Sequence, residues 1–144
     1  MTMDYTHIFA VSAAGMDVER RRLEVAAMNL ANAQTIAGAD GASYRPQRVV
    51  ALALQGAAFG DLVGGDAAFA PVASVEDTGA AERKSYEPGN PFADAQGYVS
   101  YPGVDTATEM LSIMGAMRAY EANVAAMNAT RALALKALDI GGGT

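Results

Sequence analysis

The residues able to do chemistry are few. His7 is the single histidine, and the stretch around it offers no partner that would orient it as a general base. Cysteine is absent, which removes disulfides, thiolate catalysis and Cys-based zinc sites. A Ser/His/Asp relay would hang on His7 alone, and a transition-metal site would need carboxylates alone. The stretch "DAQGYVSYPGVD" places Asp94 and Asp105 as the two ends of a calcium loop would be placed. Its third and fifth positions lack acids and its sixth is not glycine, so an EF-hand is excluded and Gly97 reads as a turn into a strand. No P-loop or dinucleotide fingerprint is present. No cofactor, metal or small-molecule substrate is expected.

Asparagine stands out instead. "MNLANAQT" closes an Ala-rich helical run with Asn29 and Asn32, followed by Thr35, and "YEANVAAMNAT" carries Asn123 and Asn128 near the other end of the chain. Asparagine is poor inside helices because its amide competes for backbone hydrogen bonds. The pairs therefore either stop helices or recognise something.

Two helices must position them. From Asp4 to Asn32, residues Phe9, Ala13, Met16, Leu23, Ala27 and Leu30 recur at three- and four-residue spacing, interrupted by Arg20, which predicts one buried stripe. From Met110 onward, Met110, Ile113, Met117, Tyr120, Val124, Met127, Arg131, Ala134 and Leu138 follow a heptad line of the kind that drives coiled-coil pairing. Leu111, Met114, Leu133 and Leu135 lie off that line, which predicts neighbours on more than one side. At 1.5 Å per residue the helices are about 45 and 50 Å long, lengths that suit an antiparallel pair.

The middle changes character. Residues 37–105 hold all five prolines and nine acids against four bases, whereas the two ends are near neutral. In "YRPQRVVALAL", Pro46 holds Arg45 extended, and Val50, Leu52 and Leu54 share one face as in a strand. "PVASV", "RKSY" and "GYVSY" are further strands, and "EPGNPFADAQG" is dense in turn residues. The expected organisation is an N-terminal helix in 1–36, a β-rich insert in 37–105 with a flexible loop at 56–82, and a C-terminal helix in 106–144. The fold class is mainly α, with a small β-rich insert and a coiled-coil-like antiparallel pair of terminal helices.

Composition excludes other roles. Arg20-Arg21-Arg22 is the one basic cluster, and successive helical residues point about 100° apart, so it makes no phosphate-binding stripe and nucleic acid is not a partner. No apolar run reaches the roughly 20 residues that span a bilayer. The N-terminus lacks a basic region before its apolar run, so no cleaved Sec signal is expected. Alanine dominates the 51% hydrophobic content and tryptophan is absent. Small side chains bury little area each, so partners are expected to complete the structure.

The segment "GMDVERRRLEVAAMNLANAQT" closely resembles the N-terminal signature of the flagellar axial rod and hook proteins. "EMLSIMGAMRAYEANVAAMNATRALALKALDIG" resembles their C-terminal helix, at Arg118, Tyr120, Glu121, Ala122, Asn123, Leu138 and Gly141. "YRPQRVV" and "YEPGNPFADAQGYVSYPGVD" are similar to the narrower pattern of the proximal-rod members. The resemblance implies a structural subunit, not an enzyme. Such proteins are exported unfolded by the flagellar type III apparatus, without a cleaved signal, and build the periplasmic drive shaft that carries torque to the distal rod and hook. It implies partners among proximal and distal rod subunits, proteins at the junction with the membrane ring and export gate, and further copies of the same chain. The residues expected at subunit interfaces are Asn29, Leu30, Asn32, Met110, Ile113, Met117, Tyr120, Asn123, Val124, Met127, Asn128 and Leu138, with Asn29 and Asn32 bonding to a neighbour's backbone. The competing readings are a soluble helical-hairpin adaptor for a cytoplasmic partner and, more weakly, a small enzyme using carboxylates of the middle segment.

Overall fold

The computed structural model describes residues 5–37, 43–52 and 71–141. Helix α1 runs Tyr5–Asn32, strands β1 Gln47–Leu52, β2 Val72–Asp77, β3 Arg83–Tyr86 and β4 Tyr98–Tyr101 follow, and helix α2 runs Thr106–Gly141. Each strand sits where proline, glycine and β-branched residues mark it. Residues 53–70, most of the expected loop at 56–82, lie outside the described residues, and the C-terminal part of that stretch carries β2.

The described residues form two two-stranded sheets, β1 with β2 and β3 with β4. The second is antiparallel, with Arg83 opposite Tyr101 and Tyr86 opposite Tyr98. This register puts Arg83, Ser85, Val99 and Tyr101 on one face, where Val99 is fully buried and the Arg83 guanidinium lies 5.5 Å from the Tyr101 ring centre. The opposite face carries Tyr86 and Tyr98 edge to face, with ring centres 5.3 Å apart.

Two compact units divide the chain. One comprises Arg22–Val50 and Val75–Gly115; the other comprises Met1–Arg21, Ala51–Ser74 and Ala116–Thr144. Each helix therefore contributes to both units. The first unit holds Val25, Ala26, Asn29, Ala33, Val99 and Pro102 among its buried residues, and the second holds Ser12, Val18, Glu19 and Ala116.

The packed stripe of α1 differs from the expected one. Buried positions are Ser12, Val18, Glu19, Val25, Ala26 and Asn29, whereas Ala13 and Ala27 are exposed and Met16, Leu23 and Leu30 are half-buried. The covered stripe mixes small side chains (Ser12, Ala26) with Val18, Glu19, Val25 and Asn29. A Cβ on Gly15 would stand 3.0 Å from the Asn123 Oδ1, so a larger residue there requires the Asn123 amide to give way.

Helix α2 starts from a side-chain cap. The Asp105 carboxylate accepts from the Ala107 amide at 3.0 Å and from the Thr108 hydroxyl at 2.8 Å. The Thr108 hydroxyl, then the Ala107 amide, hold that carboxyl below its ordinary range.

Candidate assembly surface

Asn29 is 1% exposed, although it lies one turn from the end of α1. Its Nδ2 donates to the Gln47 carbonyl at 2.7 Å and to Glu109 Oε1 at 2.9 Å. Its Oδ1 accepts from the Tyr44 hydroxyl at 2.9 Å and from the Gln47 amide at 3.0 Å. A side-chain amide has two donors and two acceptor positions, and all four are used within one chain. Burial, then the charges of Glu109 and Asp77, push the Tyr44 phenol above its ordinary value, which keeps it protonated and donating. The Asn29 amide thus reads a strand edge, as expected of a recognition residue, but the strand is the chain's own β1.

The other asparagines act locally. Asn32 donates from Nδ2 to the Met28 carbonyl at 2.8 Å, accepts from the Thr35 hydroxyl at 3.3 Å, and receives the Thr35 amide on its carbonyl at 3.0 Å. It ends the helix. Asn123 donates to the Ala119 carbonyl at 3.0 Å while its amide packs on Gly15. Asn128 is exposed.

Burial on α2 follows Glu109, Ile113, Ala116, Ala119, Asn123, Met127, Thr130 and Ala134. The heptad line shares Ile113, Met127 and Ala134 with it. Met110, Met117, Tyr120, Val124 and Leu138 are exposed, by 55%, 50%, 39%, 36% and 71%. Leu111, Met114, Leu133 and Leu135 are exposed as well. The structure therefore buries Asn29, leaves Leu30, Asn32, Ile113, Asn123 and Met127 half-covered, and presents an open apolar face on α2.

Two of the basic triplet pair locally: Asp17 accepts from Arg20 at 2.6 Å and from Arg21 at 3.2 Å. Among the described residues no cluster of acids and histidine has the grouping of a metal site, and no helix is long and apolar enough to cross a membrane.

Comparison with known proteins identifies the lineage of this arrangement. The family described as flagellar basal body rod FlgEFG protein C-terminal matches residues 95–140. The flagellar basal-body rod protein FlgC of Salmonella typhimurium is 42% identical over 139 residues, covering 96% of this chain and 99% of the relative. FlgC of Escherichia coli O6:H1 is 42% identical over 141 residues, with the same coverage. FlgC of Bacillus subtilis is 34% identical over 146 residues, covering 94% and 97%. The chain belongs to the FlgC family of flagellar basal-body rod proteins.

FlgC-family membership makes the chain a structural component of the basal-body rod rather than an enzyme. Sequence reasoning missed Tyr44, Gln47 and Glu109, the partners of Asn29. Tyr44 is an aromatic two residues before a Pro-fixed extended segment, which marks it as ordered. Glu109 carries no local signal, because its partner lies 80 positions away.

The FlgC-like segment 87–97 forms a self-bonded loop between β3 and β4. The Glu87 amide donates to the Gly97 carbonyl at 2.8 Å, and Glu87 Oε2 accepts from Asn90 Nδ2 at 3.0 Å. The amides of Gln96 and Tyr98 both donate to Asp94 Oδ1 at 2.9 Å. Gly97 closes the turn at φ +83°, a conformation that L side chains avoid.

Proposed function

We propose that this rod subunit stands in the proximal rod, where it assembles in the periplasm with further copies of itself, with proximal and distal rod subunits, and with proteins at the junction of the membrane ring and export gate. There it carries torque toward the distal rod and hook. It arrives unfolded through the flagellar type III apparatus, without a cleaved signal. Its terminal helices form an antiparallel, coiled-coil-like pair in the inner tube, with the β-rich insert outward.

The observation that carries this reading is the open face of α2. A helix with Met110, Met117, Tyr120, Val124 and Leu138 exposed is apolar where a solvated helix would be polar, and such surface is retained where a partner covers it. The near-neutral ends and the absence of catalytic groups agree with a packing role.

The test is Val124→Asp. An unpaired charge in an apolar interface costs several kcal/mol or forces a shifted pKa, and the penalty repeats in every copy of an assembly. Cells carrying it should be non-motile and build no hook, while still delivering the variant to the periplasm. Gln96→Ala, an exposed polar control, should swim normally. Normal swimming with Val124→Asp would refute the interface.

A further inference from the structure

The outward side of α2 carries two charged lines of opposite sign. Arg118, Glu121, Lys136 and Asp139 are all exposed, and none of the four makes an ion pair with another described residue. Arg118 and Lys136 stand eighteen residues apart, as do Glu121 and Asp139. Five turns of a helix take about 18 residues, so each pair returns to the same side of α2, about 27 Å further along. The bases therefore form one line and the acids another, about 60° around the helix from it. Both lines point away from the covered side that holds Ala116 and Asn123. Each base precedes its nearest acid by three residues, the less favourable order for pairing within one helix.

Each line borders its own apolar edge. Val124 and Leu135 flank the acids and are 36% and 55% exposed, whereas Leu133 and Ile140 flank the bases and are 62% and 84% exposed. The two edges are alike in apolar character and opposite in charge. Neither edge fits the same edge of a parallel second copy, because acid would face acid or base would face base. The acidic edge of one α2 fits the basic edge of another.

We propose that copies of this chain stand side by side with their α2 helices parallel, the Arg118–Lys136 line of one copy meeting the Glu121–Asp139 line of the next. Helices packed at about 8–10 Å between axes bring the two apolar edges together and leave the charges at the rim of the contact. A shift of three residues, about 4.5 Å along the axis, sets Arg118 opposite Glu121 and Lys136 opposite Asp139 at once. A shift of fifteen residues would match only Lys136 with Glu121. Two different edges meeting in this way make a heterologous contact, which propagates as a ring or a helix. An antiparallel pairing, with Arg118 opposite Asp139 across a two-fold axis, would close as a dimer and stop growth. The proposal rests on the reading that copies stand adjacent in the rod.

The chain has no cysteine, so single cysteines report the contact cleanly. Cells would produce Arg118→Cys and Glu121→Cys chains together as their only source of this protein, and purified basal bodies would be treated with copper–phenanthroline. The expected product is a disulfide-linked heterodimer in at least threefold excess over both homodimers combined. Arg118→Cys with Asp139→Cys should yield less; an equal or higher yield would show antiparallel pairing and overturn the proposal. Basal bodies that contain both variants, with no heterodimer or only a statistical mixture, would overturn this contact and leave the rod reading intact. Should the cysteine variants stay out of basal bodies, swimming decides. Arg118→Glu and Glu121→Arg should each reduce spreading in soft agar at least fivefold, and producing the two chains together should restore at least half of it, because each supplies the line the other lacks. Normal swimming of either alone, or no restoration by the two together, would overturn the contact. Absence of the wild-type chain from basal bodies would overturn the rod reading as well.

Discussion

Asn29 Nδ2 lies 2.9 Å from Glu109 Oε1, a hydrogen bond between residues 80 positions apart in the chain. It joins α1 to the first turn of α2, while the other three bonds of the same amide hold the start of β1. Removing the amide strands four buried or half-buried partners at once. Asn29→Ala should therefore destabilise the protein by about 2–4 kcal/mol, more than a helix-stop residue would cost. Asn29→Asp should also destabilise, because it sets a second carboxylate against Glu109 and an acceptor against the Gln47 carbonyl. Its deficit should shrink as pH falls and the new acid is protonated. Urea unfolding of the three proteins at two pH values checks both statements.

Asn32 provides the contrast. Its bonds are to Met28 and Thr35, three and four residues away, and glycine also ends helices well. Asn32→Gly should cost a few tenths of a kcal/mol in the same unfolding measurement. A loss as large as that of Asn29→Ala would mean that Asn32 holds more than its own helix end.

Gly97 and Gly89 test the loop. Gly97 sits at φ +83°, and a Cβ there would stand 3.0 Å from the Tyr86 ring and 3.2 Å from the Pro88 Cβ. Gly89 has an ordinary φ and open space around it. Gly97→Ala should cost about 1–3 kcal/mol through backbone strain and crowding, while Gly89→Ala should fall within about 0.5 kcal/mol of wild type. Thermal unfolding of the pair separates conformational strain from simple loss of a glycine.

Acid should loosen the same region. The Tyr98 amide, then the Gln96 amide, hold the Asp94 carboxyl below its reference value of 3.8, and Asn90, followed by Ser85, holds Glu87 below 4.5. A carboxylate with a depressed folded-state pKa contributes stability that is fully present above the unfolded value. That contribution is lost as pH falls through the lower folded value. Stability should therefore be flat above about pH 5 and decline once pH falls below 4.5, with the Asp94 share lost below 3.8. Asp94→Asn keeps an acceptor oxygen but cannot titrate, so its acid branch should be shallower. An unchanged branch would remove Asp94 from the acid response.

The sequence by itself determined the elements and the kind of protein. Helical spacing located α1 and α2, and Pro46, Pro71 and the turn-rich "EPGNPFADAQG" bounded the four strands. The asparagine pairs and the "YEPGNPFADAQG" segment pointed to the rod family. These are local signals, fixed by backbone preference and by periods of two or 3.6 residues. Which stripe of each helix is covered was decided only by the tertiary structure. Apolar spacing marked Phe9–Leu30 and the heptad line from Met110, yet the covered positions on α1 are Ser12, Val18, Glu19, Val25, Ala26 and Asn29. On α2 the covered line keeps only Ile113, Met127 and Ala134 of the heptad while adding Ala116 and Asn123. Which side chain is covered depends on what stands opposite, as Gly15 packs against the Asn123 amide. The role of Asn29 was hidden for the same reason. An amide near a helix end is a plain stop signal until the fold brings Tyr44, Gln47 and Glu109 to all four of its hydrogen-bonding positions.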